Sequence, residues 1–317
     1  MIEDNVITEQ LNNMLETTDL PLGEKYEGKV RDCYTKDGTM TIVTTDRVSA
    51  FDRVLGCVPF KGQVLTQMAL FWFKQTEDII KNHIKSSPDP NVLECHKCDA
   101  LPVEAVVRAY NTGSTTTSVW HAYKNGAREF CGNKLPDGMQ KNQAFDAPIF
   151  TPSTKAEKGD HDESVSKAEI VRRGHLTQEQ IDQVEEVSMK LFKRGQEIAA
   201  KQGLILVDTK YEFGMLNGEL VVIDEVHTPD SSRYWYADSY QERFEKGDEP
   251  AKLDKEYIRL WLSEQGFVGD GDIPTLSEEV LVEAAKRYMT AYELVTGETF
   301  KAEPGNPVER IKRNMGV

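Results

Sequence analysis

Leu204-Ile205-Leu206-Val207-Asp208-Thr209-Lys210-Tyr211-Glu212 begins as a wholly apolar run and then alternates ionisable residues with others. The first four residues read as a buried strand. Side chains alternate along a strand, so Asp208, Lys210 and Glu212 fall on one face. Three ionisable groups at the end of a buried strand are costly unless they are paired, liganded or bathed in a cleft. Asn217-Gly218 follows, a strong hairpin signal, and a second strand over 220–226 offers Asp224-Glu225 and then Thr228-Pro229-Asp230-Ser231-Ser232-Arg233. Acids on adjacent strands can hold Mg²⁺ over a nucleotide with hard oxygen ligands. A two-residue turn pairs Glu212 with Ile223 and puts Glu225 on the charged face, whereas a longer loop or a bulge puts Asp224 there. The residues leave both registers open.

Working outward, Thr177 with Gln180 forms a capping box that opens a helix closing near Gly203. A short helix is expected over 8–20, two strands over 25–45 with a turn at 36–38, and a helix over 63–83 on an apolar stripe of Val64, Met68 and Phe71. Residues 86–91, with two prolines, break regular structure and are the candidate hinge. A strand is expected over 103–109, and a helix after Thr275 and Glu278. Residues 125–165 show little periodicity, which in a compact protein points to function. Strands and helices come in blocks, so the fold class is α+β. At 317 residues one core is outgrown. Two lobes are expected, over 1–99 and 100–317.

The formal net charge is −15, which argues against nucleic acid as a partner. No stretch approaches the ~20 apolar residues of a bilayer span, and the acidic N-terminus does not read as a secretory signal, so a cytoplasmic enzyme without membrane partners is expected. Five scattered cysteines suggest reduced thiols. Cys95 and Cys98 lack a second pair to complete a zinc site. Neither monomer nor homodimer is favoured.

The scarce cations gather with acids and hydroxyls in a few places. Gly28-Lys29-Val30-Arg31 puts two cations beside a glycine, suited to nucleotide phosphates but without Walker A spacing. Thr45-Asp46-Arg47-Val48-Ser49-Ala50-Phe51-Asp52 follows a strand and reads as a ligand-gripping loop. Arg108 ends an apolar strand before Asn111-Thr112-Gly113-Ser114, the mixture a phosphate monoester asks for. Thr151-Pro152-Ser153-Thr154-Lys155 leads into Gly159-Asp160-His161-Asp162-Glu163.

In order and in combination, these motifs resemble the SAICAR synthetase (phosphoribosylaminoimidazole-succinocarboxamide synthase) family, in its longer form, from about Glu24 to Arg233 and beyond. Ala109 departs from the glycine expected after the arginine. The resemblance implies two lobes of antiparallel sheet with an ATP-binding cleft between them, the nucleotide lobe being similar to that of ATP-grasp and kinase folds. It implies a ligase that joins L-aspartate to carboxyaminoimidazole ribonucleotide (CAIR) through an acyl phosphate, using ATP and Mg²⁺. Gly28, Lys29 and Arg31 would hold ATP phosphates, with Glu104 near adenine. Glu212 and Asp224 would hold Mg²⁺, which favours the bulged register. Arg108, Ser114 and Arg233 would bind the CAIR phosphate and Asp208 its ribose. Lys210 would sit by the reacting carboxylate. Ser49, Asp52 and Asp162 are candidates for aspartate and imidazole recognition, and His161 for the base. A small-molecule kinase and a non-catalytic nucleotide sensor are the competing readings.

Overall fold

The structure, a computed structural model, describes residues 2–50, 53–115, 117–155, 163–253, 256–267, 269 and 271–317. It divides into two compact units, one of Met1–Phe71, His83–Lys97 and Asp254–Val317, the other of Trp72–Asn82 and Cys98–Leu253. One break falls between Lys97 and Cys98, beside the one expected at residue 99, but Asp254–Val317 folds with the N-terminal segment and Trp72–Asn82 with the second unit. The helix Pro307–Met315 inserts Ile311 into a core of Leu15, Leu20, Tyr34, Val43 and Val92. On the same helix, buried Arg310 pairs with fully buried Asp89 at 3.0 Å, and Asn314 donates to that carboxylate at 2.8 Å. Breaking one partner of a buried pair is strongly destabilising, so this contact locks the helix in place.

The first unit contains β1 (Glu24–Glu27), β2 (Arg31–Lys36), β3 (Thr39–Thr44), β4 (Arg47–Ala50), β5 (Arg53–Cys57), β6 (Ile84–Asp89) and β7 (Val92–His96). β1-β2-β3-β7-β6 form one antiparallel sheet and β4-β5 a hairpin. Alternation sends Tyr34, Val43 and Val92 to the core just described and Ile42, Leu93 and Cys95 to another, lined by Cys33, Met40, Leu70 and Ile84. Asp37 and Gly38 both have positive φ, as a two-residue hairpin turn needs. The two strands expected over 25–45 are three, since Gly28-Lys29-Val30 is a turn. Residues 86–91, expected as a lobe boundary or hinge, do not divide the two units. They belong to β6 and its turn, and Pro88 is tolerated because β6 is an edge strand with shifted register. The first helices also differ from expectation, ending at Gln10 and Gln75, and Ser277 rather than Thr275 caps the helix Glu278–Thr296.

His83, at the start of β6, is buried with Nε2 3.8 Å from the Cys95 thiol. Burial, with Arg31 and His96 nearby, pushes its imidazole down to about 4. The unfolded chain then binds more protons than the folded one between pH 4 and 6.5. The stability this neutral imidazole contributes is full above pH 6.5 and is lost as pH falls toward 4. Comparing wild type with His83→Gln by denaturant unfolding, the stability difference should grow with pH across that window, by up to about 1.4 kcal/mol per unit.

The second unit contains β8 (Asp99–Asn111), β9 (Glu129–Phe130), β10 (Asn133–Lys134), β11 (Gln143–Phe150), β12 (Ser153–Thr154), β13 (Glu163–Ser164), β14 (Leu204–Leu216), β15 (Glu219–Ile223), β16 (Ser232–Tyr236) and β17 (Lys252–Leu253). Its large sheet runs β13-β12-β8-β14-β16-β17, with β11 on β8 and β15 on β14, all antiparallel. The α+β expectation holds. The helix Gln178–Lys201 carries the expected capping box, packs on β14 and β8, and buries Ile181, Val184, Leu191 and Phe192. Its Gly195 is obligatory, since a Cβ there would lie 2.4 Å from the His227 ring. Among the described residues no helix is long and apolar enough to cross a membrane.

Candidate active site

The charged face of β14 depends on a β-bulge. Leu206 pairs with Tyr234 while Asp208 pairs with Arg233, so Val207 is an extra residue opposite β16. Leu206 and Val207 both enter the core, and the alternation changes parity. Without that bulge Asp208, Lys210 and Glu212 would share the buried side of Leu204 and Leu206. With it they stand beside Arg108, Val106 and Glu104, their register partners on β8. Ala109 is ordinary strand backbone without positive φ, so the absent glycine costs nothing.

The β14–β15 register is the tight one, with Glu212 opposite Ile223 and Leu216 opposite Glu219 across Asn217-Gly218. The bulged hairpin favoured by the resemblance is corrected. Yet Asp224, rather than Glu225, acts on Lys210. β15 ends at Ile223, and Asp224 takes a left-handed φ of 67°, which redirects the chain. The Asp224 charge helps raise the Lys210 ammonium, whereas the Glu225 carboxylate is buried and accepts from the Thr228 hydroxyl. His227, another left-handed residue, holds the turn: its imidazole meets the Tyr211 hydroxyl, and its carbonyl accepts from Tyr234 at 2.7 Å.

The charged face has two halves. In one, Lys210 donates to Glu104 at 2.8 Å and to Glu212 at 2.7 Å, and Lys155 donates to the other Glu212 oxygen. Burial works against the Lys210 charge, but Glu212, Glu104 and Asp224 together hold its ammonium well above the usual lysine range. Burial likewise works against the Glu212 carboxylate, and Lys210 and Lys155 outweigh it, keeping that group ionised far below the usual carboxylate range. In the other half, Asp208 accepts from Arg233 through both oxygens, Nε at 2.8 Å, with Arg108 Nη1 at 3.6 Å. Arg108 also donates to Thr151 at 2.9 Å and lies over the Phe130 ring. Burial lowers its guanidinium, Asp208 opposing that shift and Arg233 adding to it. Two guanidinium groups around one carboxylate suit an anion of planar or tetrahedral oxygens.

Exposed Ser114 follows Gly113, whose φ is 102°. A Cβ on Gly113 would fall 2.5 Å from Ser118 Cβ and 3.3 Å from Arg233 Nη1. Gly113→Ala should cost about 1–3 kcal/mol of stability, seen in denaturant unfolding, and displace Arg233.

In the first unit, Gly28 and exposed Lys29 form the β1–β2 turn, Arg31 opens β2, and Ser49 lies in β4. The Thr45–Arg47 stretch proves to be bracing. Arg47 donates to the carbonyls of Gly28 and Lys29 at 2.9 and 3.1 Å and pairs with buried Asp32 at 2.9 Å. Buried Asp46 accepts from the backbone amides of Leu15 and Gly62, and burial pushes its carboxyl up to about 6. Asp52, His161 and Asp162 lie outside the described residues. The sequence reading gave no role to Lys155 or Thr151, although both stand in the stretch it singled out.

Residues 24–274 match the family model for SAICAR synthetase. The chain is 48% identical over 305 residues to the phosphoribosylaminoimidazole-succinocarboxamide synthase of Legionella pneumophila, covering 95% of this chain and 97% of that one. It is 50% identical over 295 residues to the enzyme of the same name from Bacteroides thetaiotaomicron, covering 92% and 93%. Among solved structures it resembles the Saccharomyces cerevisiae SAICAR synthase complexed with SAICAR, with a TM-score of 0.79, 32% identity, and coverage of 91% and 100%. A SAICAR synthetase in complex with ADP aligns with a TM-score of 0.65 at 27% identity, covering 88% and 100%.

Proposed function

The chain belongs to the SAICAR synthetase family, and from that premise we propose how its residues carry the reaction. It is a carbon–nitrogen ligase of purine biosynthesis that joins L-aspartate to CAIR. It uses a nucleotide, in keeping with the relative bound to ADP. The finer reading takes that nucleotide to be ATP and the reaction to run through an acyl phosphate. A carboxylate is a poor electrophile toward an amine. Phosphoryl transfer gives it a phosphate leaving group, which the aspartate amine then displaces. Catalysis of such a step rests on positioning and charge neutralisation.

The observation that carries this reading is the single face on which Asp208, Lys210 and Glu212 alternate beside Arg108 and Arg233. Arg108 and Arg233, with Ser114, hold the CAIR phosphate, and Asp208 orients both guanidiniums and accepts from the ribose. Lys210 stands by the reacting carboxylate and stabilises the oxyanion that forms when the amine adds to the acyl phosphate. Glu212 and Asp224 are the residues to hold Mg²⁺. Their oxygen donors fit a metal that usually takes one or two carboxylates plus substrate phosphates. Among the described residues no three His, Cys, Asp or Glu side chains converge as an all-protein cage, and Mg²⁺ needs none. When bound, the metal supplies neutralisation of phosphate charge. Gly28, Lys29 and Arg31 hold nucleotide phosphates, Glu104 holds Lys210 beside Glu212 rather than lying near adenine, and Ser49, Asp52 and Asp162 recognise aspartate and imidazole. His161 is the base for the aspartate ammonium, an assignment that normal turnover in His161→Ala would remove. A cytoplasmic location, and no nucleic acid or membrane among its partners, belong to the same proposal.

The test is ADP release from ATP and CAIR with aspartate present or omitted. Full release should require aspartate, with SAICAR as product. Equal release without aspartate would make the protein a kinase.

A further inference from the structure

Glu212 is clasped from two sides by cations that differ in how firmly they are fixed. Lys210 rises from the centre of β14, between β8 and β16, and is bound to Glu104 as well as Glu212, with the Asp224 charge nearby. Losing one contact leaves it with two carboxylates. Lys155 differs. It follows the two-residue strand β12, its backbone amide donates to the Pro102 carbonyl at 3.2 Å, and its side chain is a third exposed. Its ammonium reaches one oxygen of Glu212 across a flexible four-carbon stem. That oxygen is not the one that accepts from Lys210.

We propose that Lys155 is an exchangeable counter-ion of Glu212. It neutralises the carboxylate while no divalent cation is present and yields it when one arrives. The ammonium is then available to an incoming anion. This rests on reading Glu212 as a metal ligand. The physical reason is competition. An ammonium and a divalent cation cannot both sit at hydrogen-bonding or ligand distance from one oxygen without repelling each other strongly. Lys210 does not need to move, because Glu104 and the other oxygen of Glu212 hold it. Lys155 therefore acts as a positioning residue whose place depends on metal loading, and linkage makes the dependence mutual.

Two measurements on the full chain, without nucleotide, test this. The first is Mn²⁺ binding followed by calorimetry for wild type, Lys155→Met, Lys155→Arg and Glu212→Gln. Lys155→Met should bind Mn²⁺ about fivefold more tightly than wild type, because the competitor is gone. Lys155→Arg keeps the charge and should stay within about twofold of wild type. The second is amine-reactive labelling of wild type read by mass spectrometry, in which Lys155 should become more reactive on adding Mg²⁺ while Lys210 should not. Unchanged or weaker Mn²⁺ binding by Lys155→Met, Lys155→Arg as tight as Lys155→Met, or Lys155 labelling that does not rise would each overturn the proposal. Glu212→Gln separates the two levels. If it loses Mn²⁺ binding, the metal reading stands whatever Lys155 does, and if it binds like wild type, both fail.

Discussion

Replacing Glu212 by glutamine is expected to lower kcat/KM by about 10²–10³-fold while leaving the protein folded. Glutamine has nearly the same shape and can still accept from one lysine. What it removes is a negative charge that two ammonium groups keep ionised far below neutral pH. The carboxylate is charged at every working pH, so the loss should be the same from about pH 6 to pH 9. Stability should change little, because Lys210 keeps Glu104 and Lys155 is partly solvated. Steady-state kinetics at saturating Mg²⁺, beside a thermal melt, decide the matter. Activity within about threefold of wild type would remove Glu212 from the metal site.

The second large effect is one of stability. Asp208→Ala leaves Arg108 and Arg233 facing each other without the carboxylate that now separates their charges. Arg108 is buried, and removing one partner of such a cluster costs about 3–5 kcal/mol, mostly the penalty of the uncompensated cation. Calorimetry should show a Tm lowered by several degrees (about 1.5 °C per kcal/mol at this size). Inorganic phosphate should restore part of the loss, since a bound anion would again compensate the guanidiniums. A Tm equal to wild type without added anion would mean that Asp208 is not what holds the two arginines.

Both expectations start from residues legible in the amino-acid sequence itself. The run from Leu204 to Glu212 announces a strand with a charged end, Asn217-Gly218 announces the turn, and Thr177 with Gln180 announces the helix that covers it. Each signal lies within a few residues, and each reflects local sterics or local hydrogen bonding. The stretch from Thr45 to Arg47 shows the limit. Its charges look like a binding loop, yet Arg47 and Asp46 spend their hydrogen bonds on the backbone of Gly28, Lys29, Leu15 and Gly62. A buried structural ion pair and a ligand site draw on the same residue types, and only the partners tell them apart.

The segment first quoted marks the same division. By itself the sequence determined that Asp208, Lys210 and Glu212 share one face, because alternation along a strand is a property of the backbone. It did not determine which face. That was decided by one extra residue, Val207, in the pairing of β14 with β16, which turns the charges away from the core. Nor did it determine which acid joins them, since the register is tight and Asp224 acts on Lys210 through a left-handed turn after β15. Likewise the helix Pro307–Met315 carries its amphipathic pattern openly, but its docking on Asp89 joins residues more than two hundred positions apart. Parity, register and docking are settled by pairing with distant strands and helices, where one residue of slip exchanges the buried and exposed faces.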